Sequence, residues 1–152
     1  MPEYSEGYFA DDKRLTHKGA KKIMTAALEL ASDAQVAISC AVVDAGGHII
    51  ALERMDGGLF HTIHSSTTKA VCAASTRRPT TAKGAADQDL DIGHAIGLAL
   101  AAGPTRWTAM EGGVPILVDG KCIGGVGVAG ADWEIDSRIA KFAVESMGLA
   151  TT

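Results

Sequence analysis

The sequence predicts an α+β domain in which an antiparallel sheet of about five strands is flanked by helices, and three observations support this fold class. The chain of 152 residues is long enough for one domain with one core. Its apolar patterns follow the order helix, two strands, a helical middle segment, three strands and a last helix. The strands are joined by hairpin turns rather than by helices, which favours antiparallel pairing over an alternating parallel βαβ fold.

The chain begins with an arm and a helix. Residues 1–14 show no apolar period and are predicted to form an N-terminal arm, whereas residues 15–150 form the single domain. Thr16 is predicted to cap the first helix, because its hydroxyl can accept a hydrogen bond from a free N–H of the first turn. Apolar side chains then recur at helical spacing, and the helix is predicted to end near Asp33.

A hairpin and a second helix follow. Two apolar strands, at residues 36–43 and 48–55, are separated by the turn at residues 44–47. Residues 60–76 then carry an apolar stripe at helical spacing, and Pro79 limits this helix because proline cannot continue one. Residues 80–103 are interrupted by four glycines and are predicted to form a short helix followed by a loop.

Three strands and a last helix complete the domain. The strands are predicted at residues 105–110, 114–118 and 121–129, and Asp119-Gly120 is a typical two-residue hairpin turn. An amphipathic helix then runs from Asp132 to Gly148. The glycine-rich string at residues 124–130 lies inside a predicted strand, whereas a phosphate-binding loop must end a strand and open a helix. We therefore interpret these glycines as a place where another backbone or a ligand comes close.

Charge and composition exclude several classes of partner. The formal net charge is −4 and no long run of Lys or Arg is present, so we expect no nucleic-acid partner. No stretch approaches the roughly 18 consecutive apolar residues of a membrane span, so no membrane partner is expected either. The acidic first residues do not resemble a secretory signal, which predicts a cytoplasmic protein. Cys40, Cys72 and Cys122 are predicted to be reduced, buried thiols.

Two histidines at the start of the second predicted helix are candidate functional residues. His61 and His64 are three residues apart and share one helix face, and Asp56 lies just before them. The pair could bind a metal ion or haem, act in acid–base catalysis, or point to solvent. Two histidines alone do not decide between these roles, because a firm zinc site needs three or four ligands.

Charged residues within apolar segments form the second group of candidates, because a buried charge must be paired or used. Lys69 lies in the middle of the second helix, among small residues. It either snorkels to solvent, forms a structural salt bridge with an acid such as Asp44 or Asp56, or lines a basic surface together with Arg54. Such a surface would receive a carboxylate. No Ser-His-Asp or Cys-His arrangement can be assembled from the sequence.

Several ordered segments resemble the GlcG/HbpS family. They are AVVDAGGHIIALERMDG at residues 41–57, a helix that contains Lys69-Ala70 and ends in RRPT, EGGVPILVDGKCIGGVGVAG at residues 111–130, and a last helix with Asp136 followed by Arg138-Ile139-Ala140. The resemblance spans residues 15–147. The chain departs from the common pattern in the pair His61 and His64, in Arg106-Trp107 and in Trp133.

The resemblance implies a profilin-like, three-layer α/β/α domain that assembles as a homo-oligomer, a dimer or a multiple of dimers. Members of this family include a secreted haem-binding sensor partner and the haem-binding C-terminal domain of a corrinoid adenosyltransferase. The resemblance places the ligand at residues 54–58, 60–65 and 112–115. With Lys69 added, the candidate ligand-binding residues are Arg54, Asp56, Phe60, His61, His64, Ser65, Lys69, Gly112, Gly113 and Pro115.

These observations lead to two main hypotheses. The first is a cytoplasmic protein that binds a small ligand, with haem or another tetrapyrrole as the candidate and His61 or His64 as the iron ligand. The second is a lyase, isomerase or tautomerase without a cofactor, acting on an aromatic or ring-cleavage carboxylic acid. Arg54 and Lys69 would hold the carboxylate, His61 or His64 would move the proton, and backbone N–H groups would stabilise developing negative charge at Gly112 and Gly113.

A third hypothesis is an oligomeric accessory protein without chemistry of its own. In the first two hypotheses, the small aliphatic core leaves little depth for a ligand, so we expect a neighbouring subunit to complete the site.

Overall fold

The computed structural model describes residues 7–152, and its helices and strands confirm the predicted mixed α/β class. Residues 1–6 of the predicted arm lie outside the described residues, and residues 7–14 contain no helix or strand. The elements are, in chain order, α1 (His17–Asp33), β1 (Ser39–Asp44), β2 (Ile49–Arg54), α2 (Thr62–Thr76), α3 (Ile92–Ala102), β3 (Gly113–Val118), β4 (Lys121–Ala129) and α4 (Trp133–Glu145).

Local signals set the ends of several helices. The Thr16 hydroxyl accepts a hydrogen bond from the Gly19 N–H at 3.0 Å, so the predicted cap and the end of α1 at Asp33 are both confirmed. Asp132 caps α4 in the same way. Arg77 adopts a left-handed conformation with φ of 60°, which ends α2 shortly before Pro79.

The sheet has the strand order β2-β1-β4-β3, and every neighbouring pair is antiparallel. The prediction of a fifth strand at residues 105–110 is wrong, because this segment contains a turn and a bend and forms no strand. The Arg106 N–H bonds back to the Gly103 carbonyl oxygen at 2.9 Å. A backbone that closes such a turn cannot present its donors to a neighbouring strand.

Helices cover both faces of the sheet. Ala41 and Val43 of β1 pack against Ala70 of α2 on one face. Cys40 and Val42 belong to the larger core that α1 and α4 form with the opposite face. Successive strand residues point to opposite sides of a sheet, so this alternation separates two cores. The three-layer α/β/α arrangement is thereby confirmed.

The glycine-rich part of β4 allows α2 to lie directly on the sheet. A Cβ atom on Gly127 would overlap the carbonyl oxygen of Ser66, and one on Gly125 would overlap that of Ala70. The close approach of another backbone is therefore the role of these glycines, as the sequence indicated.

Residues 80–103 fold in the reverse of the predicted order, with a loop first and helix α3 second. Asp91 caps α3 by accepting a hydrogen bond from the His94 N–H at 2.7 Å. No Cα atom of α3 lies within 8 Å of a Cα atom in another described helix or strand. Its Ile92, Ile96 and Leu100 are therefore exposed. Within residues 7–152, no helix combines the length and the apolar character needed to span a bilayer.

Candidate functional site

A mostly apolar cleft of about 490 Å³ lies between the first half of α2 and helix α3. This volume suits a small organic ligand. The lining residues come from α2, from α3 and from the segment between α3 and β3; they are His64, Ser65, Thr68, Ala95, Ile96, Ala99, Pro104, Thr105, Trp107, Thr108, Ala109 and Met110.

One wall of the cleft is the outer side of α2. Ser66, Lys69 and Ala70 are buried on the side of α2 that faces the sheet. His64 and Thr68 are four residues apart and point into the cleft from the same helix face. Among the described residues that line the cleft, His64 is the single titratable one.

The opposite wall is held in place by the segment that follows α3. Thr108 is buried, and the Cys72 thiol of α2 lies 3.6 Å from its carbonyl oxygen. Burial raises the pKa of Cys72, which keeps the thiol protonated as a weak donor to that oxygen. The Thr108 hydroxyl in turn accepts a hydrogen bond from the Met110 N–H at 3.1 Å. These contacts fix the segment against α2 and place Trp107 beside the cleft.

Of the predicted ligand-binding residues, His64 and Ser65 line this cleft. Phe60 and His61 lie just before α2, are exposed, and contact each other edge to face with ring centroids 6.2 Å apart. Arg54 ends β2 and Asp56 lies in the following turn. Both are exposed, and neither belongs to the lining.

Lys69 is buried in a structural ion pair. Its Nζ donates to the Val128 carbonyl oxygen at 2.9 Å and lies 3.3 Å from Oδ2 of Asp136. The other Asp136 oxygen accepts a hydrogen bond from the Ala131 N–H at 3.0 Å. Burial raises the pKa of Asp136, although Lys69 and the backbone donors oppose this shift. The structural salt bridge considered from the sequence is therefore the one observed, but its acid is Asp136 rather than Asp44 or Asp56.

Gly112 makes room for this ion pair. A Cβ atom at Gly112 would lie 2.6 Å from the Val128 carbonyl oxygen and 2.9 Å from the Lys69 Nζ. The backbone φ angle of Gly112 is +115°, a value that residues other than glycine rarely adopt. This glycine therefore has a structural reason to be present that involves no ligand.

Gly113 and Pro115 are buried in β3. The Gly113 N–H donates to the Thr80 hydroxyl at 2.9 Å, so it is engaged within the fold. Pro115 is paired with Gly125 of β4 inside the sheet. The N–H group of Gly113 that the enzyme hypothesis assigns to a developing negative charge is therefore already occupied.

The donors present fit haem better than a metal ion held by protein ligands alone. Residues 7–152 contain no group of three or more His, Cys, Asp or Glu side chains placed to hold a metal ion. Haem brings its own ring nitrogens and can be held by one axial protein ligand and an apolar surface. His64 offers that ligand within a largely apolar lining.

Sequence reasoning missed the second wall of the cleft. The signal was the run at residues 92–102, in which every residue except His94 is glycine or apolar and none is buried in the structure. An apolar helix without a buried face indicates a surface that a ligand or a partner covers. The glycines within this run led instead to the prediction of a short helix followed by a loop.

The fold and the cleft define a class of small α/β/α domain with a ligand-sized apolar site at the edge of its helical layer. Residues 15–145 match the family described as "Haem degrading protein HbpS-like". Protein GlcG of Escherichia coli K12 is 39% identical over 115 residues, which cover 76% of this chain and 81% of GlcG.

Two solved structures extend the similarity to the fold. The complex of PduOC with haem has a TM-score of 0.79 at 26% identity and covers 91% of this chain and 99% of that one. A double mutant of HbpS from Streptomyces reticuli has a TM-score of 0.74 at 30% identity, with coverages of 93% and 92%. The chain belongs to the HbpS-like family, which is also the GlcG/HbpS family that its motifs resemble.

Proposed function

We propose that this protein binds haem, or another tetrapyrrole, in the cleft between α2 and α3, with the His64 imidazole as the axial ligand. The proposal rests mainly on one observation: His64, the titratable residue of the lining, faces a mostly apolar cleft of ligand size. A neutral imidazole nitrogen is a common ligand of haem iron. The solved complex of PduOC with haem, which has the same fold, supports haem as the bound molecule.

The other lining residues act through contact and exclusion of water. Ile96, Trp107 and Met110 present apolar surface on the side facing α2. Covering an apolar ring with such side chains stabilises the complex by roughly 25 cal/mol for each Å² removed from water. When bound, haem would supply an iron centre. The apolar lining residues would limit the access of water to that iron.

Titration with ferric haem tests the proposal. We expect the wild-type protein to shift the Soret band on binding, and the His64→Ala variant to lose the spectrum typical of an imidazole-ligated iron. His61→Ala is the matched control, because His61 is exposed like His64 but contacts Phe60 and does not line the cleft. An unchanged Soret band in the wild-type protein, or identical spectra for wild type and His64→Ala, would overturn the assignment.

We do not propose the lyase, isomerase or tautomerase alternative, because the groups that it requires are engaged elsewhere. Lys69 is paired with Asp136, and the Gly113 N–H is bonded to Thr80. Arg54 is exposed and does not line the cleft with His64.

We also propose a homo-oligomer in which α3 of one subunit packs against α3 of a second copy. Ile92, Ile96 and Leu100 recur every four residues on α3, are 79%, 54% and 72% exposed, and would form a self-complementary apolar stripe. Ile96 also lines the haem cleft, so a second copy that covers the stripe would close the open side of the site. The cytoplasmic location indicated by the sequence stays a prediction.

A further inference from the structure

A second hollow lies beyond Trp107, at the far end of the haem cleft. It has a volume of about 310 Å³, and Trp107 lines both spaces. The other lining residues of the second hollow are Ala45, Gly46, Gly47, Val71, Ser75, Ala102 and Arg106.

The two spaces follow one another along the same pair of helices. His64 and Thr68 line the cleft, and Val71 and Ser75 line the hollow. Spacings of four, three and four residues place these side chains on one stripe of α2. At a rise of about 1.5 Å per residue, the hollow begins about 10 Å from His64 along the helix axis. On α3, Ala99 lines the cleft and Ala102 lines the hollow. The two neighbouring spaces, which share Trp107, are together called the groove.

Arg106 is the one charged residue among the described residues that line the second hollow. Its side chain is exposed, and its Nη1 lies 3.4 Å from the carbonyl oxygen of Ala102 at the end of α3. Among residues 7–152, no carboxylate forms an ion pair with its guanidinium within 4.0 Å. The guanidinium is thus available to an anionic group that enters the hollow.

The nearest turn does not supply a competing free acid. Asp44 precedes Ala45 and Gly46, which line the hollow. Its Oδ1 accepts hydrogen bonds from the N–H groups of Gly46 and His48 and lies 3.2 Å from Nδ1 of His48. This carboxylate is therefore held by its own turn and is not the partner of Arg106.

We propose that Arg106 receives the carboxylates of the tetrapyrrole whose ring lies in the His64 cleft; this inference rests on the proposed function. Haem carries its two carboxylates at one edge of an otherwise apolar ring, on flexible arms. The groove has a matching arrangement, because its section at His64 is mostly apolar and the Arg106 cation lies at its far end. A guanidinium forms two parallel hydrogen bonds with a carboxylate, which makes Arg106 a specificity residue for carboxylated tetrapyrroles.

The test compares ferric haem with its dimethyl ester, which has the same ring and iron but no carboxylate charge. We expect Arg106→Gln to weaken haem binding about tenfold, the range of one charge-assisted hydrogen-bonded contact, and to leave the affinity for the ester unchanged. Arg106→Lys should retain part of the affinity for haem, because it keeps the charge but not the fork. Arg138→Gln, which removes an exposed arginine of α4 outside both spaces, should change neither affinity.

The possible failures can be told apart. Equal haem affinity in wild type and Arg106→Gln would overturn the role of Arg106 while leaving haem binding intact. An equal loss for haem and for its ester would also overturn it, because the substitution would then have damaged the cleft itself. If the wild-type protein binds neither compound, the proposed function fails and the role of Arg106 fails with it.

Discussion

Lys69 of α2 and Asp136 of α4 form a buried ion pair that joins the two helical layers around the end of β4. Their side chains are only 6% and 4% exposed, and Lys69 also donates to the Val128 carbonyl oxygen. Removing two charges from water is costly, and the cost is offset only when both charges and their remaining polar atoms are paired. The pair is therefore sensitive to the loss of either partner.

Loss of one partner should strongly destabilise the fold. Lys69→Met leaves the Asp136 carboxylate buried without its cation, and we expect the free energy of unfolding to fall by about 3–5 kcal/mol. Urea unfolding followed by circular dichroism measures the change. Lys141→Met is the control, because its partner Glu145 is exposed and such pairs contribute less than about 1 kcal/mol. Equal losses in the two variants would contradict the structural role of the buried pair.

The close contact between α2 and β4 predicts a severe effect of one methyl group. In Gly127→Ala the new Cβ would overlap the Ser66 carbonyl oxygen, so α2 must move off the sheet. We expect a loss of about 3 kcal/mol or more in urea unfolding, at the upper end of overpacking effects. Gly19→Ala in α1 is the comparison, since its nearest neighbour is the end of the Leu15 side chain at 3.2 Å. That variant should stay within about 1 kcal/mol of wild type, and a similar tolerance at Gly127 would refute the contact.

The parts of the fold that sequence predicts correctly depend on neighbours in the chain. The cap at Thr16 and the hairpin turn at Asp119 are decided within a few residues, and strand β4 matches its predicted ends at residues 121–129. The prediction of a fifth strand was wrong because the pattern of apolar residues at 105–110 does not reveal the turn in which the Arg106 N–H bonds to the Gly103 carbonyl oxygen. Strand formation needs a partner strand, which local patterns do not provide.

The site was harder to predict because its parts come together only in three dimensions. Asp136 lies 67 residues from Lys69, so no spacing rule could select it over nearer acids. The opposite wall of the cleft comes from residues 95–110, about 30 to 45 positions beyond His64. His64 itself was identified from its residue type and helix position. Its apolar surroundings could be seen only after α3 was placed.

The three cysteines should differ in reactivity. Burial, aided by the charge of Glu53, raises the pKa of Cys40 to about 12, and burial also raises the pKa of Cys72. Cys122 is partly exposed, so the prediction of a buried thiol is wrong for this cysteine. Because the thiolate is the reactive form, we expect DTNB to modify Cys122 rapidly in the native protein and the other two only after unfolding in urea. Cys122→Ser should remove the fast phase, and a fast phase that persists would contradict this order.

Asp44 should make a small contribution to stability that depends on pH. Burial acts to raise its pKa, but hydrogen bonds from the His48 and Gly46 N–H groups and the nearby His48 ring outweigh it, so the pKa lies below its ordinary value of 3.8. A lowered carboxyl pKa stabilises the folded state above the unfolded value, and this stabilisation is lost as pH falls through the folded one. Because Asp44 is 39% exposed, we expect Asp44→Asn to cost less than about 1 kcal/mol at pH 7.

The difference between wild type and Asp44→Asn should therefore shrink as pH falls below 3.8. Urea midpoints of both proteins at neutral and at acid pH measure it. A difference that stays constant, or that grows toward acid pH, would show that the turn does not stabilise the charged carboxylate.

The exposed stripe of α3 should control assembly. Leu100 is 72% exposed on that stripe, and Leu100→Glu would place two like charges close together in the proposed interface between α3 and its copy. We expect this variant to have a lower mass than wild type in size-exclusion chromatography with light scattering. Phe142→Glu introduces the same charge at an exposed site of α4, which packs on the opposite face of the sheet, and should leave the mass unchanged.

Haem affinity links assembly to the site. Leu100 does not line the cleft, but Ile96 on the same stripe does. In the proposed assembly, a subunit that loses its partner would therefore also lose the cover over the proposed haem site. We expect Leu100→Glu to bind haem more weakly than wild type and to show faster loss of haem to apomyoglobin. A monomeric Leu100→Glu protein with wild-type haem affinity would show that each cleft is complete within one subunit. A wild-type protein that is itself monomeric would refute the α3 interface directly.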